Sequence, residues 1–376
     1  MPKLLIVTTV AATLRAFLLP YARHFRERGW TVDALSNGVS ACRECRANFD
    51  GCHDLPFSRN PLDRKNFGRI GEAIREIVSA GKYDIVHVHT PVASFVTRFA
   101  LRKRTARHGA ARPKIVYTAH GFHFYKGGGY FRNAVFAALE RLAGRWTDHT
   151  ITINREDREA AAALKIAPEE RLSLFPGIGL DFSRYSPSGI GVAAIKELHS
   201  SLMFDRNDEM FLMAAEFNPR KRHQDALRAL AMTGRKNFHL VLAGGGVLEN
   251  ETRRLALKLG IASRVHFLGE RTDVPLLMLS SRATVLPSER EGLSRSVMES
   301  ICLGIPVLGA DTRGIRDLVT TPERGALFPV GSPAALAAAM ILAVEEPCGR
   351  KPDPDPRWNI EHLLSEHEKL YSSLLR

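Results

Sequence analysis

Cysteine is scarce in this chain, at 5 of 376 residues, and no run approaches the roughly 18 apolar residues that a bilayer span needs. The opening "MPKLLIVTTV" turns polar too soon for a secretory signal, so the protein is expected to stay in the cytoplasm with its thiols reduced. Cys42, Cys45 and Cys52 in "CRECRANFDGC" stand beside His53, but no second Cys or His pair follows at zinc-site spacing. Ordinary thiols in a variable loop are therefore expected, and no metal. Aromatic residues make up 8%, and none beyond Phe99 interleaves with the densest basic run. With no helix-turn-helix or other nucleic-acid signature, no nucleic-acid partner is expected.

Acidic residues are short in one half only. Residues 1–150 hold 24 Lys and Arg against 11 Asp and Glu, which accounts for the whole net charge of +13; the remainder balances at 29 against 29. Such a half suits a phosphorylated substrate or an anionic membrane surface. The densest run, "RFALRKRTARHGAARPK" from Arg98 to Lys114, also reads as a solvated helix face and loop.

What the chain has in quantity is alternation of strand and helix patterns. "KLLIVTT" is a short buried-strand run, and "LRAFLLPYARHFRERG" puts Leu14, Phe17, Leu18, Tyr21 and Phe25 on one helical face before Gly29. That face reads as core packing or as a membrane contact. "TVDALS", "DIVHVHT", "KIVYTAH" and "HTITIN" repeat the strand type. After the Gly, Pro and Ser of "FPGIGLDFSRYSPSGIG" the pattern resumes with "MFLMAAE", "HLVLAGGG", "VHFLG", "ATVLPS" and "PVLGA". Strand, helix, strand in sequence means right-handed crossovers and parallel sheets. The fold class is α/β, with two Rossmann-like doubly wound domains: residues 1–180, a linker at 181–205, and residues 206–356. The spacing of Ile360, Leu363, Leu364, Leu370 and Leu374 predicts a last helix over 357–376. Ligands of such sheets bind at the carboxyl ends of the strands, so the crevice between the domains is the expected site.

Every motif of interest follows a strand. In "LPSEREGLSRSVMES" the turn at Glu291 and Gly292 precedes a helix starting at residues 294–296, with Glu299 on it. A helix start offers amides and a dipole to a phosphate, and carboxylates on either side accept from hydroxyls, as a sugar nucleotide would require. Ser296 and Glu299 also match a capping box, in which Glu299 only satisfies the helix start. Gly244, Gly245 and Gly246 read as a tight turn or as a close approach to a nucleotide. His120 ends a strand, where a buried histidine satisfied by the backbone is the ordinary reading.

These stretches, with "YTAHGFHFYKGG", "AEFNPRKRHQDAL", "VHFLGERTDVPLL" and "RGIRDLV" in the same order, resemble the retaining family 4 glycosyltransferases of the GT-B fold, nearest to the branch that builds bacterial capsule and exopolysaccharide. The resemblance spans nearly the whole chain. It implies that Glu299 holds the ribose of a nucleoside diphosphate sugar, that Glu291 meets the transferred sugar, and that Gly292 and Leu293 offer amides nearby. Lys221 takes the position of the lysine that grips the diphosphate. Glu216 stands where the family usually has an arginine, and Arg220 is the candidate substitute. Arg271 and the turn at Gly244 and Gly245 join the donor side. His120 takes the place of the histidine that faces the donor sugar, with His123, Lys126 and Thr9 on the acceptor side; Thr8, Thr9 and Ala11 replace glycines common in the wider family. The last helix is expected to cross back to the first domain. The implied reaction is front-face transfer from a UDP-sugar to a polyprenyl-linked acceptor, with no cofactor. Two other classes stay open: a nucleotide-sugar epimerase of the same fold, and a non-catalytic sugar-nucleotide-binding protein.

Overall fold

The computed structural model describes residues 1–58, 63, 66, 68–103, 112–346 and 351–376. The chain forms two compact units, one of residues 1–179 with 360–376 and one of residues 180–359.

The first unit is built on a seven-stranded sheet. Its strands are β1 (Lys3–Val10), β2 (Thr31–Asn37), β3 (Gly51–Asp54), β4 (Ile85–His89), β5 (Lys114–Ala119), β6 (His149–Thr152) and β7 (Leu172–Leu174), in the order β3-β2-β1-β4-β5-β6-β7. Every pairing is parallel. Successive residues of β1 enter opposite clusters, Leu5 and Val7 in one and Leu4 and Ile6 in the other, so both faces of the sheet are covered. This is why its central strands read as continuous apolar runs rather than alternating ones.

The second unit repeats the plan with six strands: β8 (Glu209–Ala214), β9 (Phe238–Ala243), β10 (Val265–Gly269), β11 (Ala283–Leu286), β12 (Val307–Ala310) and β13 (Gly325–Phe328). Their order, β10-β9-β8-β11-β12-β13, is again wholly parallel. In both sheets the order reverses beside the first strand, between β1 and β4 and between β8 and β11, which places the ligand-binding switch points there.

Residues 181–205, expected as a linker, carry the helix Val192–Ser201 and group with the second unit. The helix Ile360–Leu375 returns to the first unit, where Leu363, Leu364 and Tyr371 are buried and Tyr371 stacks on Phe25 at 5.0 Å between ring centroids. The predicted face of Leu14, Leu18, Tyr21 and Phe25 lies in that same core, with Phe17 packed against it. It is closed to a membrane, which corrects that alternative. The cysteine stretch is not a loop: Arg43–Asn48 is helical and β3 follows, with Cys42 Sγ accepting from the Cys45 amide at the helix start. Among the described residues no group of side chains is arranged to hold a metal, and no helix is long and apolar enough to cross a membrane.

Of the basic run, residues 104–111 lie outside the described residues. Arg98 is no part of a solvated face: it is fully buried, donating to Glu140 at 2.9 Å over the ring of Tyr117.

Candidate active site

At the switch point of the second unit, the segments after β8 and β11 meet. Asn218 caps the short turn Pro219–Lys221, its Oδ1 accepting from the amides of Arg220 and Lys221 at 3.1 and 3.3 Å. This fixes the direction of the Lys221 side chain, whose Nζ donates to Glu291 Oε1 at 2.6 Å. The pair is largely withdrawn from water, the lysine 23% and the glutamate 13% exposed. A backbone bond from the Glu289 amide to the Arg220 carbonyl, 2.8 Å, ties the two segments together beside it. The Arg220 side chain itself is exposed. Glu216 accepts from Asn218 Nδ2 at 3.0 Å, so the residue in place of the family's arginine braces the cap that sets Lys221.

The turn after Glu291 is held from behind. Arg313 Nε donates to the Glu291 carbonyl at 3.2 Å, and Gly314, at φ +78°, packs so closely that a β-carbon there would lie 2.2 Å from the Gly292 carbonyl oxygen. Leu293 follows, and the helix Arg295–Cys302 begins after Ser294. Glu299 sits on the second turn of that helix, so it is not the third-position acid of a capping box. It is buried at 8% exposure, and its Oε1 accepts from the Tyr185 hydroxyl at 2.5 Å and from Arg295 Nε at 2.9 Å. Burial, with the Glu299 carboxylate beside it, pushes the Tyr185 hydroxyl up to about 12, so it remains a donor.

Gly244 and Gly246 serve the backbone. A β-carbon on Gly244 would lie 2.2 Å from the Ala215 carbonyl oxygen, and one on Gly246 would meet the Phe217 backbone at 2.6 Å. Both glycines let the turn after β9 pack on the segment leading to Lys221; Gly245 between them has room for a side chain. Arg271 bonds through Nε and Nη2 to Asp273 at 2.8 and 2.6 Å.

The switch point of the first unit carries a second set. Thr9, at the end of β1, donates its amide to Thr90 Oγ1 at 2.9 Å, and their hydroxyls are 2.8 Å apart. Thr90 holds φ +61°, an unfavourable conformation for a β-branched residue, immediately before the helix Pro91–Ala100. On the neighbouring strand ends, His89 Nδ1 lies 3.0 Å from His120 Nε2. Burial drives the His120 imidazole down to about 4 and that of His89 well below its usual value, so both are neutral at ordinary pH. The turn after His120 is pinned by buried Asp157, which accepts from the Phe122 amide at 3.1 Å. His123 stacks on Phe136, 5.0 Å between centroids, and Lys126 is exposed beyond it.

The two halves of the sequence each match a known family. Residues 17–178 match the family described as Glycosyltransferase Family 4, and residues 194–355 match Glycosyl transferases group 1. EpsD of Bacillus subtilis (strain 168), provisionally named a glycosyltransferase, is 34% identical over 348 residues, covering 92% of this chain and 88% of its own length. The chain belongs to the family 4 glycosyltransferases. This family 4 glycosyltransferase is also 25% identical, over 73% of its length and 70% of the relative's, to an Escherichia coli UDP-Gal:alpha-D-GlcNAc-diphosphoundecaprenol alpha-1,3-galactosyltransferase. Among solved structures, Anabaena HepE in complex with UDP and glucose superposes with a TM-score of 0.80 at 19% identity, over 99% of this chain and 100% of that one. That likeness establishes the shared GT-B fold.

The sequence singles out Lys221, Glu291, Glu299 and His120 as candidates but not four residues that contact them in the structure: Asn218, Tyr185, Arg313 and His89. Asn218 stands before Pro219, a recognisable cap signature, and His89 sits at a strand end as His120 does. Nothing in the sequence points to Tyr185, which is 114 residues from the glutamate it binds.

Proposed function

We propose that this protein is a retaining glycosyltransferase that moves a hexose or N-acetylhexosamine from a nucleoside diphosphate sugar, with uridine as the base, to a hydroxyl of a polyprenyl-diphosphate-linked glycan. The observation that carries the reading is the Lys221–Glu291 pair at the second unit's switch point: a cation held in place, partly desolvated, beside a carboxylate and a helix start. In this reading Lys221 meets the charge on the leaving diphosphate, which grows as the bond to the anomeric carbon breaks. Glu291 accepts from hydroxyls of the transferred sugar. Glu299, oriented through Oε1 by Tyr185 and Arg295, presents Oε2 to the ribose hydroxyls. His120, neutral, offers a hydrogen bond rather than a charge at the first unit's switch point. The acceptor oxygen bonds to the anomeric carbon on the face the diphosphate leaves, and its proton passes to a diphosphate oxygen, so no protein nucleophile is needed. No metal or cofactor enters this scheme.

Two relatives support the acceptor class, since the Escherichia coli enzyme is named for a diphosphoundecaprenol acceptor and a Campylobacter jejuni relative, 22% identical over 59% of this chain, for a diphospho-undecaprenol one. Both names specify alpha-1,3 products, and an alpha linkage from an alpha-configured donor is retention.

The test is to incubate the purified protein with UDP-hexoses and UDP-N-acetylhexosamines and a short polyprenyl-diphosphate-linked sugar, following label into the lipid phase and the anomeric configuration by NMR. An alpha product is expected. An inverted product would overturn the retaining mechanism, and a change at the donor sugar's second carbon without transfer would mark an epimerase.

A further inference from the structure

The helix Ile360–Leu375 covers one face of the first unit's sheet, and His367 and Tyr371 stand one turn apart on its buried side. Facing it, β4 carries His87 and His89, two residues apart and so on one side of the strand. The Tyr371 hydroxyl bonds to His87 Nδ1, and His87 Nε2 lies 2.8 Å from Thr118 Oγ1 on β5. Nearer the strand ends, His89 Nδ1 makes the bond to His120 Nε2 already described. His87 is opposite Val116 and His89 opposite Thr118 in the β4–β5 register, so both bonds lean across the pair by the same two residues. The two rings lie against each other, 4.0 Å between centroids. A line of contacts therefore joins the last helix to His120.

The Tyr371 hydroxyl has no role in the packing of its ring. That ring stacks on Phe25 and lies 5.9 Å from Trp30, which a phenylalanine would do as well. A buried hydroxyl costs stability unless it is hydrogen-bonded, and His87 is its partner. Burial holds this phenol well above its usual value and the His87 imidazole well below its own, so the phenol keeps its proton and the ring is neutral. The phenol is the more acidic of the two hydroxyls at His87 and the better donor. His87 Nδ1 therefore accepts from Tyr371, and the His87 proton sits on Nε2, donated to Thr118. With both nitrogens engaged the His87 ring cannot turn. His89 rests on that ring, and since His89 Nε2 has no hydrogen-bond partner, its orientation depends on packing and on the bond to His120.

We propose that Tyr371 is a positioning residue for His120, acting through His87 and His89, so that the last helix completes the histidine site of the first unit. The effect on catalysis rests on the transferase reading. The placement of the His120 ring and its proton is a property of the folded chain and does not.

The test compares Tyr371→Phe with Tyr21→Phe. Tyr21 packs edge-on against His367, 4.9 Å between centroids, and its hydroxyl donates to the Ile178 carbonyl at 3.3 Å, so its loss loosens the same helix without touching His87. Nitrogen-15 spectra should show His87 as the Nε2–H tautomer in the parent. In Tyr371→Phe the His87 signals should become those of a tautomer mixture and the His120 signals should move, whereas Tyr21→Phe should leave both in place. In the transfer assay Tyr371→Phe should lower kcat about threefold to tenfold, the scale of one lost hydrogen bond, with the donor KM within about twofold. In a His87→Leu background the same substitution should cost nothing further, because the residue through which it acts is gone. His120 signals that stay put in Tyr371→Phe, or that move as far in Tyr21→Phe, would overturn the proposal, as would additive losses in the double variant. If the His120 signals follow Tyr371→Phe while the parent transfers no sugar, the positioning stands and the transferase reading falls.

Discussion

His89 Nδ1 lies 3.0 Å from His120 Nε2, while the other ring nitrogen of His89 is buried with no hydrogen-bond partner. A buried N–H without an acceptor is the less tolerable of the two arrangements, so the His89 proton belongs on Nδ1, donated to His120. His120 then carries its own proton on Nδ1 and presents that atom as a donor.

The first prediction concerns this pair. Nitrogen-15 spectra of the histidine rings should show His120 as the Nδ1–H tautomer. His89→Ala should redistribute it and weaken transition-state binding by about 1–3 kcal/mol, since a partner is left unsatisfied. With both imidazoles neutral, the pH profile of kcat/KM should have no step near 6.5 from either. An Nε2–H signal for His120 in the parent protein would refute the assignment.

The second concerns Lys221 and Glu291. Lys221→Ala should lower kcat by about 10²–10³, the scale seen when one charge-stabilising donor is lost. It should also lower stability by about 1–3 kcal/mol, because Glu291 is left partly buried without its cation. The double variant Lys221→Met/Glu291→Gln should recover most of that stability and none of the activity, as replacing both charges removes the unpaired one. An unchanged thermal midpoint in Lys221→Ala would show that the pair is not held in solution.

Much of this site could be read from the sequence because it follows strands whose apolar runs are unambiguous. β4, β5, β8 and β11 are buried on both faces, and the segment after each begins at a visible break in the pattern. β3 was not legible: it is a short edge strand, "GCHD", with polar residues and a cysteine, which reads as loop. On spacing alone Glu299 reads equally as cap and as ligand, because the separation of Ser296 and Glu299 suits both. The structure resolves the cap question by where the helix starts, one residue before Ser296, and by Tyr185, a partner that no local pattern announces.

A third prediction follows from that partner. Nucleotide binding should raise stability by RT ln(1 + [L]/Kd), about 2.7 kcal/mol at a hundred times Kd, with UDP and without added divalent ion. Tyr185→Phe leaves Glu299 with Arg295 alone and should weaken UDP binding less than Glu299→Gln does. Equal shifts in parent and Glu299→Gln would remove the glutamate from the donor site.

The fourth tests why Glu216 is tolerated where the family usually has an arginine. Its bond to Asn218 Nδ2 braces the cap whose Oδ1 holds the Arg220 and Lys221 amides. Asn218→Ala should cost about 1 kcal/mol of stability, the ordinary worth of a cap, and reduce kcat with it. Glu216→Gln retains an acceptor and should preserve kcat, whereas Glu216→Ala should lower it in the same direction as Asn218→Ala, by a smaller factor. If Glu216→Ala and Glu216→Gln are indistinguishable from the parent, the residue has no part in setting Lys221.

The last prediction is the response of the fold to acid. Burial pushes His120, His149 and His367 of the first unit down to about 4, and His87 and His89 well below their usual value; in the second unit His223 falls to about 4. In the unfolded chain these imidazoles titrate near 6.5. Between roughly pH 6.5 and 4 the unfolded state therefore binds more protons than the folded one, so stability falls as pH drops through that window and is unaffected by these groups above it. Each imidazole held neutral withdraws up to about 1.4 kcal/mol per pH unit there. The urea midpoint should be flat from pH 8 to 7 and decline steeply toward pH 5, and hydrogen exchange should find β4 and β5 of the first unit opening ahead of β8 and β11. A midpoint that holds constant down to pH 5 would mean that these histidines are charged or hydrated in the folded protein, and with it the neutral His120 of the proposed mechanism would fall.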